Sequence, residues 1–149
     1  MNKPTSIKIG LLALSVLAIL AALPASLLAE EAASPDEKTA VFYFHGNKRC
    51  MTCRSIESTA SKAVKTLFAE PMKSGQLEWH VVNFEEKGNE HYVKELSLVG
   101  AGVVVAHVDE AGKLTDAKTL QKVWRLSSDE DGMRQYLEKE VTPYLTASK

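Results

Sequence analysis

The stretch at positions 41–53 reads Val-Phe-Tyr-Phe-His-Gly-Asn-Lys-Arg-Cys-Met-Thr-Cys. It begins with aromatic and β-branched residues and reaches Gly46-Asn47, which is typical of a short strand followed by a turn. The first strand is therefore predicted at about 39–44. Beyond Cys50, apolar or small side chains recur at helical spacing, which predicts a helix over about 50–69. These side chains are Cys53, Ile56, Ala60, Ala63, Val64, Leu67 and Phe68.

The two cysteines occupy different environments in this predicted helix. Cys53 lies on the apolar stripe and should face inward, whereas Cys50 lies in the first turn, where backbone N–H groups lack partners. The helix dipole and the adjacent cations Lys48 and Arg49 favour a thiolate at Cys50. Because the thiolate is the nucleophile in disulfide exchange, we predict Cys50 as the attacking thiol and Cys53 as the resolving thiol.

Other uses of a Cys-x-x-Cys pair stay open. A zinc site normally takes four ligands, and the chain has two cysteines. Histidines would therefore have to converge on the pair, from among His45, His80, His91 and His107. A soft ion such as Cu(I) held by the two sulfurs, or an inert bridge, are further alternatives. Redox chemistry is favoured, with no metal ligand assigned and no cofactor expected.

Two more side chains are candidates for tuning the pair. Glu57 lies one turn after Cys53 and could accept protons during exchange, although such a position is more often plain surface. His45 precedes Cys50 by five residues and could tune the thiolate or complete a metal site, although a histidine at a strand end is usually structural.

The N-terminus differs from the rest of the chain in composition. Lys3 and Lys8 form a positive segment before an apolar run at 9–23, and small or apolar residues continue to Ala29. This is the layout of a secretory signal cleaved after residue 29. Residues 9–29 also reach the length of about 20 residues that crosses a bilayer, so an uncleaved membrane anchor stays open. Either way we expect a periplasmic or extracytoplasmic domain, secreted or anchored by this N-terminal helix.

The remaining segments predict a linker at 30–38 and a single domain at 39–146. We expect Pro71 to end the first helix, Asn89 to cap a short helix, and Pro143 to interrupt the last turn of the closing helix. The closing helix is predicted to start at the capping box Ser127-x-x-Glu130. The remaining strands are predicted at 77–84, at 103–108 and within 114–123.

The charge pattern restricts the partners. The formal net charge is -1, and the chain lacks a basic block, so a nucleic-acid partner is not expected. In an oxidising compartment, a catalytic cysteine pair needs something that exchanges electrons with it. We therefore expect a redox partner protein, which the sequence does not identify.

The order β-α-β-α-β-β-α, with the cysteine pair after the first strand, resembles the thioredoxin-like superfamily over about 38–145. That resemblance implies an α/β three-layer sandwich with a mixed central sheet, preceded here by the signal or anchor helix, and thiol–disulfide oxidoreductase activity. More narrowly, three segments resemble the exported ArsF-like family of nitrophenyl compound nitroreductase subunits, which implies an accessory, electron-delivering role. The segments are 43–53, 77–83 and 122–124.

Three positions depart from the thioredoxin pattern. Arg49 stands where thioredoxins carry a tryptophan before the first cysteine, and Phe44 matches the position of their buried acid. Gly102 matches the cis-proline that faces the cysteines. Because a cis peptide bond before a non-proline residue costs ~2.5–4 kcal/mol, we predict a trans bond there. The resemblance thus implies an altered substrate groove beside Gly102.

Overall fold

A four-stranded sheet forms the centre of the domain, in the strand order β2-β1-β3-β4. The computed structural model describes residues 37–147; the predicted signal or anchor at 1–29, and the linker up to residue 36, lie outside the described residues. The strands are β1 (Lys38–His45), β2 (Leu77–Asn83), β3 (Gly102–Val108) and β4 (Leu114–Thr119). The helices are α1 (Met51–Leu67), α2 (Ala69–Lys73), α3 (His91–Glu95) and α4 (Glu130–Ala147), with a 3₁₀ helix at Gln121–Trp124.

The sheet is mixed, as the resemblance implies. Strand β1 pairs in parallel with β2 and antiparallel with β3, and β3 pairs antiparallel with β4. In this register the carboxyl end of β1 lies beside the carboxyl end of β2 and the start of β3, because His45 pairs with Asn83 and Phe44 pairs with Gly102. The loops that follow β1 and β2 and the loop that precedes β3 therefore meet at one edge.

Alternation along β1 divides the core into two faces. Val41 and Tyr43 point to the face covered by α1 and α4, here called the α1–α4 face. Phe42 and Phe44 point to the opposite face, here called the α3 face, which is covered by α3 and the residues around it. Successive strand residues face opposite sides of a sheet, which explains this division.

The first helix ends differently from the prediction. Helix α1 ends at Leu67, before it reaches Pro71, and α2 follows with Pro71 inside it. Pro71 is the third residue of α2, a position whose backbone N–H has no intrahelical partner in any case. The proline is therefore compatible with a helical turn that it was expected to prevent.

Two further helix boundaries were predicted wrongly. Helix α3 has no side-chain cap, since the Asn89 side chain donates instead to the carbonyl of Asn83 at 3.0 Å. Helix α4 starts at Glu130, and its cap is Asp129, whose Oδ1 accepts from Gly132 N at 2.8 Å. The Ser127 carbonyl instead accepts from the Ser55 hydroxyl at 2.5 Å.

Helix α4 also continues through Pro143 to its end at Ala147. Val141 and Tyr144, on either side of the exposed proline, are both buried against the sheet. Their packing holds the last turns in place despite the missing N–H donor.

The described residues therefore form an α/β thioredoxin-like fold with a mixed four-stranded sheet. Their element order is the predicted β-α-β-α-β-β-α with the short α2 added. Within residues 37–147, no helix has the length and apolar character needed to cross a membrane.

Candidate functional site

The two cysteines form a disulfide at the start of α1, with their Cα atoms 5.1 Å apart. Cys50 is the N-cap residue and is exposed, whereas Cys53 is only 8% exposed. The Cys50 sulfur accepts a hydrogen bond from Cys53 N at 3.0 Å, in the place where a cap side chain normally accepts. The predicted difference in exposure is therefore present, and it leaves the Cys50 sulfur as the accessible one. The roles of the two thiols in exchange stay predictions.

Tyr43 connects the sheet to the cysteine pair from below. Its side chain is fully buried on the α1–α4 face, and its hydroxyl donates to the Cys53 carbonyl at 2.6 Å. Burial raises the pKa of Tyr43 above its ordinary value, and the neighbouring guanidinium of Arg49 opposes that rise. The first turn of α1 is thereby anchored to β1 directly under the resolving cysteine.

Arg49 is folded back onto the protein instead of standing free in solvent. Its guanidinium carbon lies 5.8 Å from the centre of the Tyr43 ring. Its Nη2 forms an ion pair with Oε2 of Glu57, without the alignment of a hydrogen bond, and both side chains are about three-quarters buried. The pair therefore neutralises one of the two positive charges that were expected to act on Cys50, that of Arg49.

The loop before Cys50 is tied to the loop after β2. The backbone N–H of Asn47 donates to Glu85 Oε2 at 2.9 Å, and the Asn83 amide donates to Asn47 Oδ1 at 2.8 Å. The Glu85 carboxylate also lies where a side chain on Gly46 would be, since a Cβ there would come within 2.7 Å of Oε1. Because residue 46 is a glycine, the Glu85 carboxylate can pack against the backbone of this loop.

The other residues predicted to tune the cysteine pair lie at the same edge of the sheet, but each has a different environment. His45 is half-buried, with Nδ1 3.0 Å from its neighbour's carbonyl, Gly46 O, and its ring 5.9 Å from that of Tyr43. Lys48 is exposed. Gly102 starts β3 opposite Phe44, and the peptide before it is trans as predicted, because residues 37–147 contain no cis bond.

The histidines do not gather around the sulfurs. His80 bonds Glu78 at 2.9 Å on β2, His91 lies on α3, and His107 is buried beside Tyr144. Within residues 37–147, no group of three or more His, Cys, Asp or Glu side chains is arranged to hold a metal ion. A metal at this edge of the described domain would therefore rest on the two sulfurs.

The corner before β3 is held by a tryptophan. The indole N–H of Trp124, from the 3₁₀ helix, donates to the Ala101 carbonyl at 3.0 Å. Trp124 is 43% exposed and Val99 is fully exposed beside it. This corner lies beyond the end of β1, on the same edge as the disulfide.

Sequence reasoning missed Tyr43, Asn83 and Glu85. It matched Phe44 to the buried acid of thioredoxins, but Phe44 points to the α3 face, and the residue that reaches Cys53 is its neighbour Tyr43. The alternation of side chains along β1 could have indicated Tyr43, because neighbouring residues of a strand point to opposite faces of the sheet. The parallel pairing of β1 and β2 could have indicated Asn83 and Glu85, since both strands end at the same edge.

This arrangement defines a thioredoxin-like domain with a Cys-x-x-Cys disulfide at the carboxyl end of its first strand. The chain matches no protein-family model and none of the curated proteins with which it was compared. Among solved structures, it is similar to thioredoxin O2 from Arabidopsis thaliana in the oxidized state. The two are 18% identical with a TM-score of 0.41, over 70% of this chain and 76% of that one. The assignment of the fold rests on the strand order and pairing described above.

Proposed function

We propose that the chain is an exported thiol–disulfide oxidoreductase that works through Cys50 and Cys53. The observation that supports this proposal is the inequivalence of the two sulfurs at the start of α1. Cys50 is exposed at the N-cap, and Cys53 is buried beneath it. A helix N-terminus favours a thiolate, which is the attacking species in disulfide exchange.

The reaction exchanges one disulfide for another and moves two electrons. The Cys50 thiolate attacks a substrate disulfide, one substrate sulfur leaves as a thiolate, and a mixed disulfide with Cys50 remains. Cys53 then loses its proton and attacks the Cys50 sulfur. This releases the second substrate sulfur as a thiolate and restores the Cys50–Cys53 disulfide. In the opposite direction, a substrate dithiol attacks Cys50 and is oxidised.

The test is to trap the mixed disulfide. The full chain with Cys53→Ser is incubated with oxidised glutathione or a disulfide-containing peptide, and the adduct is measured by mass spectrometry. We expect one adduct on Cys50, because the resolving thiol is absent. The matched variant Cys50→Ser should react much more slowly, since its remaining thiol is buried. If Cys53→Ser forms no adduct, or both variants react alike, the proposal is wrong.

The proposed location and partner rest on the sequence. Residues 1–29 have the layout of a signal or anchor, so we propose a periplasmic or extracytoplasmic domain that exchanges electrons with a partner protein. Fusing residues 1–38 to an alkaline phosphatase that is active only outside the cytoplasm tests the location. An inactive fusion that is expressed at full length would exclude export.

The ArsF-like resemblance supports a finer proposal, in which the domain delivers electrons to a larger redox system as an accessory subunit. Reduction of a nitrophenyl compound by the purified chain with a thiol donor alone would contradict the accessory role.

A further inference from the structure

The positive charge beside the disulfide is smaller than the two cations before Cys50 suggest. Lys48 and Arg49 immediately precede Cys50, and two cations there would stabilise its thiolate. Of these two cations, only Lys48 has no ion pair with a carboxylate of residues 37–147, because Arg49 is paired with Glu57. Glu57 thus has a defined electrostatic partner that is the immediate neighbour of the attacking cysteine.

The pair is connected to both cysteines through the chain and through Tyr43. Arg49 precedes Cys50 in the chain, and Glu57 follows Cys53 by one turn of α1. The guanidinium lies over the ring of Tyr43, whose hydroxyl donates to the carbonyl of Cys53. Because the pair is largely buried, its charges are screened less by solvent than those of an exposed pair.

The other ionisable side chains near the pair are differently engaged. Lys48 and Arg54 are exposed, so solvent and salt weaken their effect. His45 is held at the neighbouring carbonyl, and Glu85 is bonded to the backbone of the loop before Cys50. Of these groups, only Arg49 and Glu57 form an ion pair within the described residues, and removing one of them changes the net local charge in a known direction.

We propose that Glu57 is a positioning residue that sets the reduction potential of the Cys50–Cys53 pair by neutralising Arg49 and holding it against Tyr43. This inference rests on the proposed function. Reduction converts the disulfide into two thiols, at least one of which ionises more readily near a positive charge. An unneutralised Arg49 would therefore stabilise the reduced form and make the disulfide more oxidising, and Glu57 keeps the potential lower.

The test is a double-mutant cycle on the equilibrium with glutathione. The full chain is equilibrated with mixtures of reduced and oxidised glutathione at pH 7, and the fraction of reduced Cys50–Cys53 is measured by alkylation and mass spectrometry. Glu57→Gln should shift the equilibrium constant about tenfold towards the reduced form, which is about 30 mV for this two-electron couple. Arg49→Met should shift the constant the opposite way, because it leaves the Glu57 carboxylate unneutralised.

The double variant distinguishes a charge effect from a loosened loop. With both charges absent, we expect an equilibrium constant within about threefold of the wild type, because the two opposite shifts cancel. A purely structural role would move both single variants in the same direction. Glu57→Asp, which keeps the charge, should return most of the wild-type value.

A matched control makes the same chemical change at an ion pair farther along α1. Glu130→Gln, at the start of α4, removes the carboxylate that accepts from Lys62 of α1 at 2.5 Å. This variant should keep the wild-type equilibrium constant. Equal constants in Glu57→Gln and the wild type would overturn the inference, as would shifts of the same sign in both single variants. If the wild type itself does not exchange with glutathione, the proposed function fails first.

Discussion

The two faces of the sheet are built from alternate residues of the same strands, yet they are covered very differently. Helices of 17 and 18 residues, α1 and α4, cover the α1–α4 face. The α3 face is covered by a helix of 5 residues and the segments around it. The disulfide is tied to the better-covered face, since Tyr43 and Cys53 both belong to it.

This difference indicates how stability and chemistry are divided in the domain. A redox pair must keep its geometry while its covalent bond forms and breaks, and a long packed helix provides a rigid support. Regions with few buried apolar contacts open locally at lower free energy. We therefore expect the α3 face to open more readily, and the disulfide to be insensitive to that opening.

The largest expected effect compares one substitution on both faces. Leu137→Ala, on α4, should lower the free energy of unfolding by about 3–4 kcal/mol, since Leu137 is fully buried among long helices that cannot collapse onto the cavity. Leu98→Ala, on the α3 face, should lower it by about 2 kcal/mol, because the short neighbouring segments can relax. Urea denaturation of the oxidised protein measures both values.

The same pair of variants tests the link to chemistry. We expect the glutathione equilibrium of Leu98→Ala to equal that of the wild type at a temperature where the variant is folded. A changed equilibrium in Leu98→Ala, or a larger loss of stability there than in Leu137→Ala, would contradict the proposed division between the faces.

The second-largest expected effect is the loss of stability at alkaline pH, which comes from tyrosines on the α1–α4 face. Burial raises the pKa of Tyr43, Tyr136 and Tyr144 above 10.0, with Asp116 adding to the rise for Tyr144. The unfolded chain releases these protons near its ordinary pKa of about 10, and the folded state keeps them. Stability is therefore complete below pH 10 and falls as the pH rises from there, by at most about 1.4 kcal/mol per pH unit for each tyrosine.

Urea midpoints between pH 9 and pH 11 check this dependence. Tyr43→Phe should cost about 1 kcal/mol at pH 7, because the Cys53 carbonyl loses its 2.6 Å hydrogen bond. It should also make the alkaline loss of stability shallower than in the wild type. An unchanged slope in Tyr43→Phe would show that this tyrosine ionises equally in both states.

Much of the fold was predictable because its signals are local and repeated. The strand-to-helix change around Cys50 and the apolar spacing of α1 gave the correct element order, and Asp109 to Gly112 forms the expected turn. The error at Pro143 occurred where tertiary packing overrides a local rule. Pro143 is accommodated because Val141 and Tyr144 are packed on either side of it, which no window of sequence shows.

The candidate site was predictable only in part, for a similar reason. The exposure of Cys50 and the burial of Cys53 follow from helical spacing within a few residues. The pairing of Arg49 with Glu57 depends on where a long side chain turns, and the closure of Glu85 over Gly46 depends on the register of β1 and β2. These contacts cross between elements and have no local signature.

A smaller loss of stability is expected from substitutions of two residues that precede helices, one helix on each face of the sheet. Asp129→Ala removes the cap of α4 and should cost about 1 kcal/mol in the free energy of unfolding. Asn89→Ala, before α3, removes only the bond to the Asn83 carbonyl and should cost about 0.5 kcal/mol. Ser127→Ala is the control and should change stability little. A loss for Ser127→Ala equal to that for Asp129→Ala would restore the originally predicted capping box.

The smallest effect concerns the edge where both faces meet the disulfide. Trp124→Phe keeps an aromatic ring but deletes the hydrogen bond to the Ala101 carbonyl. Because the side chain is 43% exposed, water can replace the lost donor, and we expect a stability loss of about 0.5 kcal/mol. Without this bond the segment before β3 should open more often. Hydrogen exchange at the amides of residues 100–102 should therefore become faster, while exchange in α4 stays the same. Faster exchange throughout α4 would mean that Trp124 supports the α1–α4 core and does not merely hold the corner before β3.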